Sequence, residues 1–154
     1  MSKDKREISE EYTQIMKEII DERDELDDIR DSDVQIICLK SALKKRRNGK
    51  LVFGQCEKVQ DKNKWAIPCD FTITIFEPNV SYFSDEQIRI LIFHELLHVG
   101  AAFNGEHWIR HHDLEDFKLI VNEFGTDWAA FGGGPVPEDD AEPEVGDEQK
   151  VESV

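Results

Sequence analysis

The chain has 154 residues, enough for one domain with a buried core, and sets 19 lysines and arginines against 34 aspartates and glutamates, a formal net charge of −15. The acid is uneven: residues 1–33 hold 13 acids and 6 bases, residues 138–154 hold 8 and 1, and the stretch between is near neutral at 13 and 12. This balance disfavours a general affinity for nucleic acid, the absence of an 18-residue apolar run disfavours a membrane span, and three cysteines without Cys-x-x-Cys spacing indicate neither a disulfide framework nor a cysteine zinc ribbon.

The opening "MSKDKREISEEY" has no apolar signal segment, so a soluble cytoplasmic protein with reduced thiols is expected. An amphipathic helix is predicted over 8–30, where Ile8, Tyr12, Ile15, Ile19, Leu26 and Ile29 recur at spacings of three, four or seven. "DVQIICLKSAL" (33–43) starts as a strand on its β-branched residues. "KKRRNGK" (44–50) contains the turn pair Asn48-Gly49, and "LVFGQCEKVQ" (51–60) and "FTITIFEP" (71–78) are further strands. In the last of these, alternation of Phe71, Ile73 and Ile75 against Thr72, Thr74 and Phe76 predicts one face greasier or deeper than the other. Ser84 and Gln87 have capping-box spacing and start a helix expected to run to about Phe103, with Ile88, Leu91, Ile92, Leu96 and Val99 inward and Asn104-Gly105 ending it. A last helix is expected from near Asp113 to Gly125, with Leu114, Phe117, Ile120, Val121 and Phe124 inward and Trp128 folding back onto the domain. The reading is an α+β fold with a short, mostly antiparallel sheet in a single domain over 1–131. The Gly-, Pro- and acid-rich segment 132–154 has nothing to bury and is expected to be a disordered tail.

"FHELLHVG" (93–100) carries the chemistry. His94 and His98 are four apart and share one helix face, the spacing at which two imidazoles hold one zinc ion. Glu95 is offset by one residue, placed to act as general base on an activated water. An isolated charged Glu95 among apolar neighbours would cost several kcal/mol, and all five histidines fall between 94 and 112, which core packing does not require. Ala101 and Asn104 stand where an extended metzincin motif would have Gly and His, which excludes that subclass. The third donor is sought in "EHWIRHHDLEDF" (106–117). His112 is the first choice, ahead of a tight bend into the last helix, with His111 or a carboxylate (Asp113, Glu115 or Asp116) as alternatives. Asp113 has two further readings, as N-cap of the last helix or as an acceptor orienting a ligand imidazole. Tyr82, His107 and His111 are candidate oxyanion donors, and "FTITIFE" is the strand that would pair with an extended substrate backbone.

Two other readings compete. Six bases lie between Lys40 and Lys50, which suggests either a charged hairpin rim or a module that binds nucleic acid or an acidic partner. A zinc site closed by four protein ligands would instead make a non-catalytic accessory protein.

With "HELLH" followed by "HHDLEDF" and "FGTDW", the sequence resembles the phage metallopeptidase family of phages and prophages. "CLKSALKKRRNGKLVFGQCEKV" and "DFTITIFEPN" are similar to that family's strand region, so the resemblance covers roughly 33–130. It implies a small zincin-like domain: an N-terminal helix, the short sheet, the His-Glu-x-x-His helix and a following C-terminal helix. It further implies zinc-dependent hydrolysis of peptide or protein substrates in the cytoplasm of a bacterial host, with His94, His98 and His112 as ligands and Glu95 as base.

Overall fold

The computed structural model describes residues 5–102, 104–111, 117–125, 128 and 129. They form an α+β fold in which four helices lie around a four-stranded sheet and two small hairpins.

The N-terminal segment is not one helix. Arg6–Ile8 form β1, an edge strand antiparallel to β2 (Ile36–Ser41), with Ile8 facing solvent at 63% exposure rather than the core. Helix α1 (Glu10–Glu22) begins where Ser9 Oγ accepts from the Tyr12 amide at 3.1 Å, and it buries Tyr12, Met16 and Ile19. It stops at Arg23, whose backbone turns extended. A 3₁₀ turn (Asp24–Leu26) and the short α2 (Asp27–Arg30) follow, and Arg30 Nη1 donates to the carbonyls of Ile20 (2.6 Å) and Arg23 (3.3 Å), satisfying the broken helix end. Leu26 and Ile29 stay buried, so the apolar spacing runs straight across the break.

After β2 come a tight hairpin, β3 (Arg46–Arg47) and β4 (Lys50–Leu51), then β5 (Gly54–Lys58) and β6 (Phe71–Phe76). The hairpin turn places Asn48 at φ 55° and Gly49 at φ 80°, the left-handed pair that a two-residue connection needs. The main sheet runs β1-β2-β6-β5; β2 and β6 are parallel, the other two pairings antiparallel. β6 is thus an interior strand, buried at all six residues, and both of its backbone edges are already paired. Its two faces do not differ in depth, though the face of Phe71, Ile73 and Ile75 is the more apolar against Thr72, Thr74 and Phe76. One expectation is overturned: "FTITIFE" has no edge to offer a substrate. Edge positions belong to β1 and β5.

Helices α1 and α3 (Asp85–Leu96) pack on the face that carries Cys38, Cys56, Ile73 and Ile75, all fully buried. Met16 Sδ lies 3.5 Å from Cys38 Sγ, and burial pushes that thiol up to about 12. No disulfide joins Cys38, Cys56 and Cys69, and all three are buried. Across the opposite face lies Arg6, donating to Glu57 Oε1 (2.8 Å) and Thr74 Oγ1 (3.1 Å).

Helix α3 is shorter than predicted. It ends at Leu96, and β7 (Val99–Ala101) pairs antiparallel with β8 (His107–Ile109), so Val99 is buried in a hairpin and not on a helix stripe. The reason is local: an ideal Cβ on Gly100 would sit 2.3 Å from the Trp108 ring, and Val99 and Gly100 are both weak helix formers. Gly105, at φ 88°, belongs to the connection between these strands. Helix α4 (Lys118–Phe124) starts later than expected, with Phe117 at its cap position; it does stop at Gly125, φ 84°. Phe103, residues 112–116 and the acidic segment 132–154 lie outside the described residues, and with them the expectations placed on Asp113, Leu114 and the tail. Among the described residues no helix is long and apolar enough to cross a membrane.

Candidate metal centre

The site is built on α3. Its start is fixed by a complete capping box: Ser84 Oγ accepts from the Gln87 amide (3.2 Å), and Gln87 Oε1 accepts from the Ser84 amide (2.8 Å). Gln87 Nε2 also donates to the Trp128 carbonyl at 3.0 Å, tying the segment after α4 to the same helix. From Ile90 to Leu96 every residue of α3 is buried, so its side chains reach neighbours on all sides.

His94, Glu95 and His98 are each 0% exposed. The two imidazoles meet edge to face, with centroids 5.3 Å apart and planes at 68°. Phe117 sits edge-on against both, 5.3 Å from His94 and 4.9 Å from His98, and the Trp128 ring is 6.1 Å from His94. His98 lies in the tightened turn after α3, its amide donating to Glu95 O at 3.1 Å. It is held twice by the strand end that follows β8: the Arg110 amide donates to His98 O (2.6 Å), and His98 Nδ1 is 2.7 Å from Arg110 O. A carbonyl can only accept, so Nδ1 carries the proton and Nε2 presents its lone pair, the tautomer a metal ligand requires. Arg110 belongs to the stretch 106–117 in which the third donor was sought.

The Glu95 carboxylate lies against β5. An ideal Cβ on Gly54 would lie 3.1 Å from Glu95 Oε2 and 3.3 Å from Leu91 Cδ1, so the strand can approach the carboxylate only because residue 54 has no side chain. Edge strand and buried acid are therefore in direct contact.

Of the residues named from sequence, the structure brings together His94, Glu95 and His98. His112, Asp113, Glu115 and Asp116 lie outside the described residues, and among the described residues no group of three or more His, Cys, Asp or Glu is gathered to hold a metal. His111 is exposed. His107 faces the start of β6, 6.0 Å from the Phe71 ring and 3.8 Å from Asp70 Oδ1. Tyr82 Oη donates to Ala129 O at 3.3 Å, and burial pushes its hydroxyl up to about 12. Neither is shown against Glu95. The reading from sequence missed Gly54, Phe117 and Arg110 as parts of the site. Only Gly54 left a signal, as a glycine inside a strand pattern.

A family model described as "Putative phage metallopeptidase" matches residues 4–133. No curated protein and no solved structure matches the chain.

Proposed function

The chain belongs to this phage metallopeptidase family, and from that premise we propose that it is a zinc-dependent peptidase with a zincin-like site. His94, His98 and His112 hold the ion, and Glu95 is the general base. The observation that carries the reading is the 2.7 Å contact between His98 Nδ1 and Arg110 O, which leaves Nε2 as the lone-pair nitrogen of a ring 5.3 Å from that of His94. The donor set suits zinc, which takes neutral imidazole nitrogens whose other nitrogen is held by a carbonyl or carboxylate. Burial of Glu95 supports it too, because a carboxylate taken fully out of water is tolerated where a nearby cation or donors offset its desolvation.

Zinc, when bound, supplies Lewis acidity that brings the pKa of water down to roughly 7 and stabilises charge on the scissile carbonyl oxygen. The Glu95 carboxylate accepts a proton from the attacking water as its oxygen bonds to the carbonyl carbon. The same carboxylate then delivers that proton to the amine nitrogen as the C–N bond breaks. Phe117 and Trp128 fill the space beside the imidazoles, excluding water and limiting their rotation. β5, the edge strand in contact with Glu95 through Gly54, is the strand along which an extended substrate would pair. The setting is the cytoplasm of a bacterial host.

The test is metal content together with cleavage of an unstructured labelled casein by wild type, Glu95→Gln and His112→Ala. The expectation is one zinc per wild-type chain, zinc kept but turnover lost in Glu95→Gln, and zinc lost in His112→Ala. Undiminished turnover by purified Glu95→Gln would end the mechanism. Zinc that resists chelation, in a wild type that cleaves nothing, would point to the non-catalytic accessory role.

A further inference from the structure

The β3–β4 hairpin is a basic projection on an acidic chain. Between Ala42 and Val52 it carries Lys44, Lys45, Arg46, Arg47 and Lys50 and no acid. Lys44, Arg46 and Lys50 are exposed and Arg47 is half-buried. Among the described residues Lys44, Arg47 and Lys50 take part in no ion pair. The base of the hairpin is pinned, since Asn79 Nδ2 donates to both Lys45 O (2.9 Å) and Val52 O (2.8 Å), and Lys45 Nζ donates to Gln55 Oε1 (2.9 Å).

The described chain ends beside that base. Ala129 O accepts from Tyr82 Oη; the Tyr82 ring is 5.0 Å from Phe83, and Phe83 is 5.1 Å from Phe53, the neighbour of Val52. Beyond Ala129 come eight uncharged residues, 130–137, and then seven acids and no base in 138–148. Nine residues reach at most about 30 Å, more than the two ring-to-ring steps that separate Ala129 from the hairpin base.

We propose that this hairpin is a docking surface for an acidic polypeptide and that its occupant is the chain's own segment 138–148. Charge complementarity selects the class of partner, and the short uncharged connection selects the segment: a tethered ligand is presented at roughly millimolar effective concentration without any new contact. A nucleic acid backbone carries the same charge but must displace a partner that never leaves. Because Val52 lies two residues from Gly54, the docked segment borders the edge strand that touches Glu95.

The test uses the full chain and a variant in which Glu138, Asp139, Asp140, Glu142, Glu144, Asp147 and Glu148 are changed to Gln or Asn. In ¹⁵N–¹H spectra the amides of 44–50 shift between the two proteins while those of α1 do not. Between about 0.1 and 1 M salt the wild-type positions move onto the variant's, as the screening length falls from about 10 to about 3 Å. The triple variant Lys44→Gln/Arg47→Gln/Lys50→Gln abolishes the salt effect. Hairpin amides identical in the two proteins would overturn the proposal. So would shifts that grow with protein concentration, which place the segment on a second copy. An oligonucleotide bound as tightly by wild type as by the neutralised variant would give the surface to nucleic acid instead.

Discussion

Replacing Gly54 by alanine tests the contact between the edge strand and the buried acid. The substitution leaves the backbone unstrained, since Gly54 is not among the residues with positive φ. Its added Cβ would stand 3.1 Å from Glu95 Oε2 and 3.4 Å from Glu95 Cγ, against an ordinary contact of about 3.4–4 Å. The carboxylate must therefore retreat by about 0.3–0.5 Å. If a 1 Å misplacement of a catalytic group costs on the order of 10²-fold, this retreat costs roughly four- to ten-fold in kcat. Stability should fall by no more than about 2.6 kcal/mol: overpacking costs about 1–3 kcal/mol, partly offset by about 0.4–1 kcal/mol from the stiffer unfolded chain. Gly54→Val pushes further in the same direction and should lose on the order of 10²-fold. The assay is steady-state cleavage of labelled casein, with zinc content and urea unfolding measured on the same samples. Full zinc, a native unfolding curve and wild-type kcat in both variants would show that Glu95 does not act from the position seen against β5.

Phe117→Ala should destabilise the fold by about 3–5 kcal/mol, since the ring is 3% exposed and wedged against both imidazoles; a loss under about 1 kcal/mol in urea unfolding would contradict that packing. Cys38 gives a pH dependence with a definite sign. Its thiol rises from 9.0 to about 12 on folding, so its contribution is complete below about pH 9 and disappears as pH climbs toward 12. The contribution is of order 4 kcal/mol, and Cys38→Ala should flatten the fall of the unfolding free energy across that window. Arg23 makes a bidentate pair with Glu123 (2.7 and 2.5 Å) and lies 4.2 Å over the Phe93 ring, joining the end of α1 to α4 and α3. A double-mutant cycle of Arg23→Met with Glu123→Gln should give a coupling of about 0.5–1 kcal/mol that shrinks in salt, and strict additivity would sink the clamp.

What could be read in the sequence is what depends on local chemistry. The Asn48-Gly49 turn, the Ser84–Gln87 box and the Gly125 stop each need a residue type that only that backbone geometry or cap exploits, and each stands where it was expected. His94 and His98 meet even though α3 ends at Leu96, because the turn that carries His98 still winds back onto the helix, its amide bonded to Glu95 O. The failures occur where long-range packing overrides periodicity. Nothing in "DERDELDDIR" breaks a helix; Arg23 turns out of α1 to reach Glu123 and Phe93, partners 100 and 70 positions away. Val99 keeps the spacing of a helix stripe, yet the Trp108 ring takes the space above Gly100 and makes the segment a strand. "FTITIFE" reads equally well as an edge or a centre, since hydrophobic pattern reports burial and not how many neighbours a strand has; only the parallel pairing with β2 decides it.

That last distinction bears on how such a site is assembled. The strand most apolar in sequence is the one least able to bind a substrate, because burial on both faces goes with pairing on both edges. An edge that must stay open to a peptide is better made from a short strand with polar alternate residues and a glycine where the catalytic acid approaches. β5, "GQCEK", has those properties: Cys56 and Gly54 face α3, while Gln55 and Glu57 face away to Lys45 and Arg6. The glycine that weakens the strand is also what lets Glu95 lie against it, so the residue that lowers β propensity is the one that joins the sheet to the chemistry.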